Sequence, residues 1–321
     1  MKTDLIASFS YNIYLKSIRF QKKYKIIRKI SKKIWNRSLS IFANKKVNTI
    51  IHNKKVNINY GYTYPIICRE FPTYNLPLVE LAYLTFKNKG SSISIVDVGA
   101  AIGDTVLLLE TSLPNMVKEY FCIDGDKDFF LFLKENLSSI GRASLINSFL
   151  SAKNEKAKNL VKIHPGTASA QGKEEIITTT VDELISVGKL GQFDLIKIDV
   201  DGFDGRVLLG AREALKKYTP YVIFEWHPTL CVETGNNWID HFSSLEDCGY
   251  DRFIFFDNYG NFSHIMTVLD YEAINLLAQV CLSQKHSHAV YFDIAAIHKS
   301  NDFDLFKFAV LAYSRLNKHP Y

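Results

Sequence analysis

The chain has 321 residues, of which 47% are hydrophobic and 13% aromatic, and this composition argues against intrinsic disorder. The five cysteines are scattered without a C-x-x-C pair, which favours a reducing compartment and gives no zinc-knuckle pattern. No apolar run approaches the roughly 18 residues of a membrane span, and the N-terminus lacks the apolar core of a signal peptide. We therefore expect a cytoplasmic protein.

The charge is distributed unevenly along the chain. The net charge is +6, but residues 1–60 hold 15 lysines and arginines and one acid, Asp4, which leaves 24 basic and 32 acidic residues elsewhere. A basic N-terminal segment therefore precedes an acidic body. A nucleic-acid-binding protein would be expected to carry a basic body or aromatic side chains among its bases, so we expect no nucleic-acid partner.

The basic segment has the periodicity of a helix. Four isoleucines fall within an arc of about 100° on a helical projection, opposite a row of lysines and arginines. Two interpretations stay open. The isoleucine stripe packs on the body, or residues 15–45 lie on an anionic membrane surface, which would place the protein peripherally on the inner membrane face. The stripe is Ile26, Ile27, Ile30 and Ile34, and the basic row is Lys22, Lys25, Arg28, Lys29, Lys32 and Lys33.

The remaining pattern predicts an α/β fold. A small hairpin is predicted from Val47–Ile51 and Val56–Tyr60, followed by an aromatic stretch and a lead-in helix from about Leu76 to Lys87. From Ser92 strands alternate with helices, which is typical of a doubly wound parallel sheet. We divide the chain into a basic helical N-terminal extension, residues 1–90, and an α/β domain, residues 91–321. The predicted strands are Ile93–Val98, Glu119–Ile123, Ala143–Asn147, Phe193–Val200, Tyr221–Glu225, Arg252–Phe256 and Val290–Ile297, with a last helix at Asp302–Leu316.

A glycine turn joins the first of these strands to a helix. The dinucleotide fingerprint G-x-G-x-x-G would need a glycine at Ala101, whereas the form D-x-G-x-x-x-G-D resembles the S-adenosylmethionine (SAM) loop of class I, Rossmann-like methyltransferases. An ordinary strand-to-helix turn is the alternative. The loop predicts cofactor contacts from Asp97, Gly99, Ala100, Gly103, Asp104 and Thr105.

The second predicted strand ends in an acid, Asp124, followed by Gly125. An acid at this position can accept hydrogen bonds from the ribose hydroxyls of a bound nucleotide. We therefore assign Asp124 and Gly125 to the cofactor site. The alternative is that Asp124 caps the following helix.

Two further strands end in acids and a histidine. Asp199, Asp201 and Asp204 surround Gly202, and strand alternation sets Lys197, Asp199 and Asp201 on one side. The next strand brings Glu225 and His227 to the same edge of the sheet. A histidine is a natural base for a hydroxyl proton near neutral pH, although a structural role beside Pro228 is an equal alternative for His227.

Together these motifs resemble the FkbM family of SAM-dependent methyltransferases over about residues 92–228. The family pattern runs D-V-G-A-N-x-G-[DE]-[TY], an acid after the second strand, T-[LV]-D-[DE]-L, I-K-x-D-[VI]-E-G-x-E and an E-x-H-like strand. The chain departs from it at Ala101 in place of Asn, at Asp124-Gly125 in place of Glu-Pro, and at Asp201 and Asp204 in place of two Glu. The matching segments are Asp97–Thr105, Asp124, Thr180–Leu184, Ile196–Asp204 and Glu225–His227.

The resemblance implies O-methyl transfer from SAM to a hydroxyl, which we expect to belong to a sugar, a glycan or a glycolipid precursor. Asp199, His227 and Glu225 are the expected catalytic residues. Asp199, Asp201 and Glu225 are a candidate Mg²⁺ site, with a metal-free reaction left open. A non-catalytic SAM-fold module that binds a partner in a glycan-assembly complex is the alternative, and retention of the loop glycines and of Asp124 argues against it.

Overall fold

The computed structural model describes residues 2–43, 45–158, 161–164, 167–169 and 175–308. Its helices are α1 (Lys2–Lys23), α2 (Lys25–Phe42), α3 (Tyr64–Glu70), α4 (Leu76–Lys89), α5 (Asp104–Ser112), α6 (Lys127–Asn136), α7 (Val181–Ser186), α8 (Asp204–Leu209), α9 (Arg212–Tyr218), α10 (Pro228–Thr234), α11 (Asp240–Glu246) and α12 (Tyr271–Ser283). Its strands are β1 (Lys46–Ile51), β2 (Lys54–Asn59), β3 (Ile93–Val98), β4 (Val117–Asp124), β5 (Ala143–Asn147), β6 (Phe149–Leu150), β7 (Lys156–Lys158), β8 (Val161–His164), β9 (Thr167–Ser169), β10 (Glu175–Thr179), β11 (Leu195–Ile198), β12 (Tyr221–Trp226), β13 (Tyr250–Asp257), β14 (Phe262–Met266) and β15 (Phe292–His298).

The central sheet has eight strands in the order β14-β13-β15-β12-β11-β3-β4-β5. The strands from β12 to β5 in this order are parallel, whereas β15 runs antiparallel to both β12 and β13. After β3 the chain builds β4 and β5 on one side, and it later builds β11 and β12 on the other. The carboxyl ends of β3 and β11 therefore flank the point where the strand order reverses, where doubly wound sheets bind ligands. This confirms the predicted fold class.

The sheet is covered on both faces. All six residues of β3 are buried, as expected for a central parallel strand. Alternate residues of β3 serve different cores: Ile93 and Ile95 join one apolar cluster, whereas Val96 and Val98 join the other. The first cluster also contains residues of α1, α2, β1, β2 and α4 to α6, and the second contains residues of α7 to α9, α11 and α12.

The N-terminal helices join this core through aromatic rings. Trp35 of α2 stacks on Tyr14 of α1 at 4.3 Å and on Tyr60 at 5.3 Å between ring centroids, and Tyr11 meets Trp35 edge-on. The isoleucine stripe of α2 is exposed, so packing of that stripe on the body was the wrong alternative. The described helices include none that is long and apolar enough to cross a membrane.

The predicted and observed elements differ at their ends. The predicted strands Ile93–Val98 and Ala143–Asn147 agree with β3 and β5. The predicted strand Phe193–Val200 shortens to β11, because the chain turns immediately afterwards with φ of 52° at Asp201 and 87° at Gly202. The hairpin β1–β2 turns more tightly than expected, since Ile51 already pairs with Lys54. Much of the predicted last helix, from residue 309 onward, lies outside the described residues.

Candidate active site

The glycine loop between β3 and α5 adopts a backbone that few residues tolerate. Gly99, Ala101 and Gly103 have φ of 80°, 44° and 89°. A Cβ at Gly99 would lie 1.8 Å from the carbonyl oxygen of Asp199, so only glycine lets β3 and the end of β11 approach so closely. The backbone N–H groups of Gly99 and Ala100 donate to the carbonyl oxygen of Ile123 at the end of β4.

Asp124 fixes this loop from β4. One carboxylate oxygen accepts from the Ala101 backbone N–H at 2.8 Å, and the other accepts from the Asp126 backbone N–H at 2.8 Å. Burial raises the pKa of Asp124 to about 7, although these two hydrogen bonds act in the opposite direction. The helix cap is Asp126, which accepts from the N–H groups of Asp128 and Phe129, so Asp124 is not the capping residue.

A buried lysine joins the acids of β3 and β11. The Nζ of Lys197 lies 3.4 Å from Asp97 and 3.2 Å from Asp199. Burial alone would lower the pKa of Lys197, but Asp199 and Asp97 outweigh it and raise that pKa. Asp97 is almost fully buried, whereas the side chain of Asp199 is 43% exposed. The predicted proximity of Lys197 and Asp199 is thus present.

More acids lie around the carboxyl end of β11. Asp204 is fully buried at the start of α8, and burial raises its pKa to about 8. Burial, followed by the charge of Asp199, raises the pKa of Glu225 well above its usual range. The same two causes raise the pKa of Asp293 on the antiparallel strand β15 to about 7. This end of the sheet therefore holds protonated carboxyl groups near neutral pH.

His227 occupies a different environment from the one expected. Its Nδ1 accepts from the Leu230 backbone N–H at 3.4 Å and caps α10, which places the ring proton on Nε2, 3.3 Å from the carbonyl oxygen of His288. The ring stacks on Tyr291 at 4.7 Å, and burial lowers the pKa of His227 to about 4. Both nitrogens are engaged, which favours the structural alternative for His227.

One cavity of about 950 Å³ spans the carboxyl ends of β3, β4 and β11. Its wall includes many of the predicted site residues but omits Asp97, Ala100, Gly103 and His227. Asp97 lies 3.4 Å from the Nζ of Lys197, which does line the cavity. Gly103 packs against the side chain of Leu137. The predicted residues in the wall are Gly99, Asp104, Thr105, Asp124, Gly125, Asp199, Asp201 and Glu225.

The wall also contains residues that the sequence did not single out. Tyr62, Tyr64 and Tyr74 enter from the N-terminal segment, and Tyr291 enters from the residue before β15. The Tyr62 hydroxyl donates to Asp104 at 2.9 Å, which ties this segment to the first turn of α5. The concentration of tyrosines between residues 60 and 74 was the sequence feature that could have indicated their place in the cavity wall.

The predicted Mg²⁺ site at Asp199, Asp201 and Glu225 is not supported. In the part of the chain that the structure describes, no group of three His, Cys, Asp or Glu side chains is arranged to hold a metal ion. The expected ligands Asp199, Asp201 and Glu225 all line the cavity but do not converge. The ammonium of Lys197 supplies the positive charge beside Asp199 instead.

The cofactor end of the cavity fits SAM by the chemistry of its donors. Asp124 offers a carboxylate for ribose hydroxyls, and the start of α5 lies beside it. The Phe149 ring fills the space next to Gly125, where a Cβ would lie 2.2 Å from a ring carbon, and gives a flat apolar surface for a base. At about 950 Å³ the cavity lies near the upper end of the usual range of about 300–1,000 Å³ for ligand sites.

Comparison with known proteins gives one family. Residues 97–252 match the model of the methyltransferase FkbM domain. The comparison with curated proteins finds no match.

Several solved structures are similar at low identity. A methyltransferase FkbM from Methylobacillus flagellatus KT is 14% identical over 64% of this chain, with a TM-score of 0.41, and the chain covers only 43% of that protein. A precorrin-6y C5,15-methyltransferase from Geobacter metallireducens GS-15 is 11% identical over 68% of this chain and 87% of its own, with a TM-score of 0.36. A fibrillarin pre-rRNA processing protein from Methanococcus jannaschii is 12% identical over 65% of this chain and 67% of its own, with a TM-score of 0.37.

The alignments to solved structures carry no functional weight at these TM-scores, so the assignment rests on the matched residues. These contain the glycine loop, Asp124, the acids after β11 and Glu225 of β12. Residues 97–252 of this chain are therefore similar to the methyltransferase FkbM domain.

Proposed function

We propose that the protein transfers a methyl group from SAM to a hydroxyl of a sugar, a glycan or a glycolipid precursor. The observation that carries the proposal is that one cavity wall holds both the glycine loop with Asp124 and the acids Asp199 and Glu225. A cofactor and an acceptor held in one cavity can be aligned for in-line transfer. SAM supplies an electrophilic methyl on a sulfonium, and the chain's own residues position the acceptor and take its proton.

The acceptor end has the lining expected for a carbohydrate. Carboxyl groups of Asp199, Asp201 and Glu225 offer hydrogen bonds to hydroxyls, and the rings of Tyr62 and Tyr74 give flat surfaces beside them. Burial raises the pKa values of both tyrosines well above the usual range, so their phenols stay protonated. The Tyr62 hydroxyl donates to Asp104, and the Tyr74 hydroxyl is the one proposed to donate to the acceptor. This mixture of rings and acids supports a polyhydroxyl acceptor over an apolar one.

Asp199 is the proposed proton acceptor. Its side chain is 43% exposed, and it lies 3.2 Å from the Nζ of Lys197. Glu225, whose pKa is raised, keeps its own proton near neutral pH and acts as a donor that orients the acceptor. The proton of the acceptor hydroxyl passes to Asp199 as the new oxygen–carbon bond forms.

Two measurements on the full chain test the proposal. Isothermal titration calorimetry with SAM is expected to show saturable binding at one site. Incubation with SAM and a panel of sugars, nucleotide sugars and lipid-linked sugars is expected to release S-adenosylhomocysteine with at least one acceptor, and mass spectrometry of that acceptor would show one added methyl. Absence of SAM binding by folded protein would favour the non-catalytic module. Binding with methylation of nitrogen or carbon would overturn the O-methyl assignment alone.

A further inference from the structure

Helix α1 is apolar on two opposite faces. One face is buried in the core through Ala7, Tyr11, Leu15 and Ile18. The opposite face carries five large apolar side chains within an arc of about 100°. A soluble surface helix is normally apolar on one face only, so the second face requires its own explanation. The five residues, with their exposed fractions, are Leu5 73%, Ile6 55%, Phe9 69%, Ile13 50% and Phe20 56%.

Helix α2 repeats the pattern. It docks on the core through Trp35 and Ser38, while its isoleucines remain in solvent. These isoleucines also fall within an arc of about 100° on the helical projection. Together the exposed apolar residues of α1 and α2 form what we term the outer face. The isoleucines of α2, with their exposed fractions, are Ile26 74%, Ile27 36%, Ile30 54%, Ile34 61% and Ile41 63%.

The same two helices carry a dense positive charge. Ten of their lysines and arginines are exposed, and Asp4 is the single acid in residues 1–60. The exposed bases are Lys16, Arg19, Lys22, Lys23, Lys25, Arg28, Lys29, Lys32, Lys33 and Arg37.

We propose that the outer face lies on an anionic lipid surface. Apolar side chains enter the boundary between headgroups and acyl chains, and the lysines and arginines meet anionic headgroups. The charge excludes a second copy of the chain as the favoured occupant, because two such segments would bring together twenty exposed bases and only two acids, the Asp4 of each copy. A nucleic acid would use the bases but leave the isoleucine, leucine and phenylalanine side chains in water.

Helix α2 is connected to the cavity wall through aromatic rings. Trp35 stacks on Tyr60, and two residues later Tyr62 lines the cavity and donates to Asp104. The helices that carry the outer face therefore contact the segment that supplies Tyr62 to the cavity wall. If the proposed function holds, this placement suits an acceptor that is itself carried by a lipid.

Vesicle co-sedimentation of the full chain tests the proposal without depending on activity. The protein is mixed with vesicles of phosphatidylcholine alone or of phosphatidylcholine and phosphatidylglycerol at a ratio of 3:1. We expect sedimentation with the anionic vesicles at low salt, at least tenfold weaker binding to the neutral ones, and a clear loss at high salt, because exposed charges are screened within about 3 Å at 1 M salt.

Point variants are preferable to deletion, since α1 supplies Tyr11 and Leu15 to the core. The variant L5S/F9S/I13S removes apolar contacts, and K29E/K32E/K33E reverses charge, each on exposed positions only. Both are expected to lower vesicle binding at least tenfold. The matched control L131S/V268S/L276S changes three equally exposed apolar residues outside the outer face and should bind as the parent does.

Circular dichroism melting verifies that each variant is folded. If a variant does not fold, the comparison of anionic and neutral vesicles with the unaltered protein still tests the proposal. Full-length protein that stays in the supernatant with anionic vesicles at low salt overturns the proposal. So does equal binding by the α1 variant and the matched control. Dimerisation seen by sedimentation equilibrium and abolished by L5S/F9S/I13S, without vesicle binding, would assign the outer face to a second copy instead. SAM binding is unaffected by these outcomes, so they do not bear on the proposed function.

Discussion

Among single residues, Asp199 and Glu225 show how one cavity wall can hold two acids in different surroundings. The side chain of Asp199 is 43% exposed and lies 3.2 Å from the ammonium of Lys197. Glu225 is buried, and burial together with the charge of Asp199 raises its pKa well above the usual range. We therefore propose a division of roles in which Asp199 accepts a proton and Glu225 donates a hydrogen bond.

This division predicts the effect of Asp199→Asn. The amide keeps the size and most hydrogen bonds of the side chain but cannot take a proton, so turnover should fall by about 10²–10⁴-fold with little change in SAM affinity. The measurement is single-turnover methyl transfer alongside calorimetry with SAM.

The matched variant is His227→Asn, which retains a side-chain acceptor at the start of α10. Because His227 lies outside the cavity wall, its turnover should stay within severalfold of the parent. A collapse of turnover in folded His227→Asn, with Asp199→Asn active, would reverse the two assignments.

A second residue-scale prediction concerns Asp124. Asp124→Ala removes the proposed partner of the ribose hydroxyls, and SAM binding should weaken by about 1.5–3 kcal/mol, the range for hydrogen bonds to a charged group. Calorimetry measures the dissociation constant. Asp128→Ala, at an exposed position in the first turn of α6, is the control and should leave it unchanged.

Asp124 also holds the loop through the Ala101 N–H, so the result needs a second comparison. Asp124→Asn keeps one acceptor oxygen for the loop. If Asp124→Asn melts at the parent temperature and binds SAM as tightly as the parent, the ribose assignment fails.

Among elements, the turn between β3 and α5 restricts the residue at position 99 both by the space around it and by its backbone conformation. Gly99→Ala places a Cβ 1.8 Å from the Asp199 carbonyl oxygen, so the end of β11 must move. Gly90→Ala is the matched control, because Gly90 also has a positive φ, 72°, but nothing lies within 4 Å of its added Cβ.

Gly90→Ala should therefore cost only the conformational strain, about 1–3 kcal/mol of unfolding free energy in urea titration. Gly99→Ala should cost more and should also weaken SAM binding. Equal losses in the two variants would show that the close approach to Asp199 does not matter.

The sequence predicts elements well where periodicity and burial agree. β3 and β5 are isolated apolar runs with turn residues on both sides, and both are found at their predicted bounds. The short sheet of β6, β10 and β7 carries little apolar alternation, and it was not predicted. The isoleucine periodicity of α2 predicted a helix, but periodicity cannot say whether an apolar stripe faces the core or solvent.

The candidate site shows the same limit. Motif spacing brings Gly99, Asp124 and Asp199 to one edge of the sheet because parallel strands share that edge. It could not place Tyr62 or Tyr291, since neither belongs to a motif and each reaches the cavity from a distant part of the chain. Nor could it show that His227 caps α10, because a capping residue and a catalytic base look alike in sequence.

On the scale of the whole molecule, the buried acids make stability depend on pH. Burial raises the pKa of Asp204 to about 8 and that of Asp293 to about 7, against about 3.9 for aspartate in an unfolded chain. Between these values the folded state holds protons that the unfolded state has released. The free energy of unfolding therefore falls as pH rises from about 4 to about 8.

Buried histidines act in the opposite direction at lower pH only. Burial lowers the pKa of His241 to about 4. Its contribution to the free energy of unfolding is therefore complete above about pH 6.5 and is lost as the pH falls from there to about 4. From about pH 6.5 to 8 the acids act alone, and urea titration in this interval should show stability falling with pH. Asp204→Asn should flatten the slope by up to about 1.4 kcal/mol per pH unit. An unchanged slope in that variant would mean that Asp204 does not titrate there.

The position of β15 in the sheet has a consequence for biosynthesis. β13 and β14 are translated earlier, yet β13 does not pair with β12; it joins the sheet only through β15, which lies between them. A ribosome that has finished β14 therefore carries two strands with no place in the sheet. Tyr291 of the cavity wall arrives just before this late strand, so a nascent chain has no complete cavity until that part of the chain has left the exit tunnel. The proposed activity therefore depends on a strand that is translated after the other described strands of the sheet.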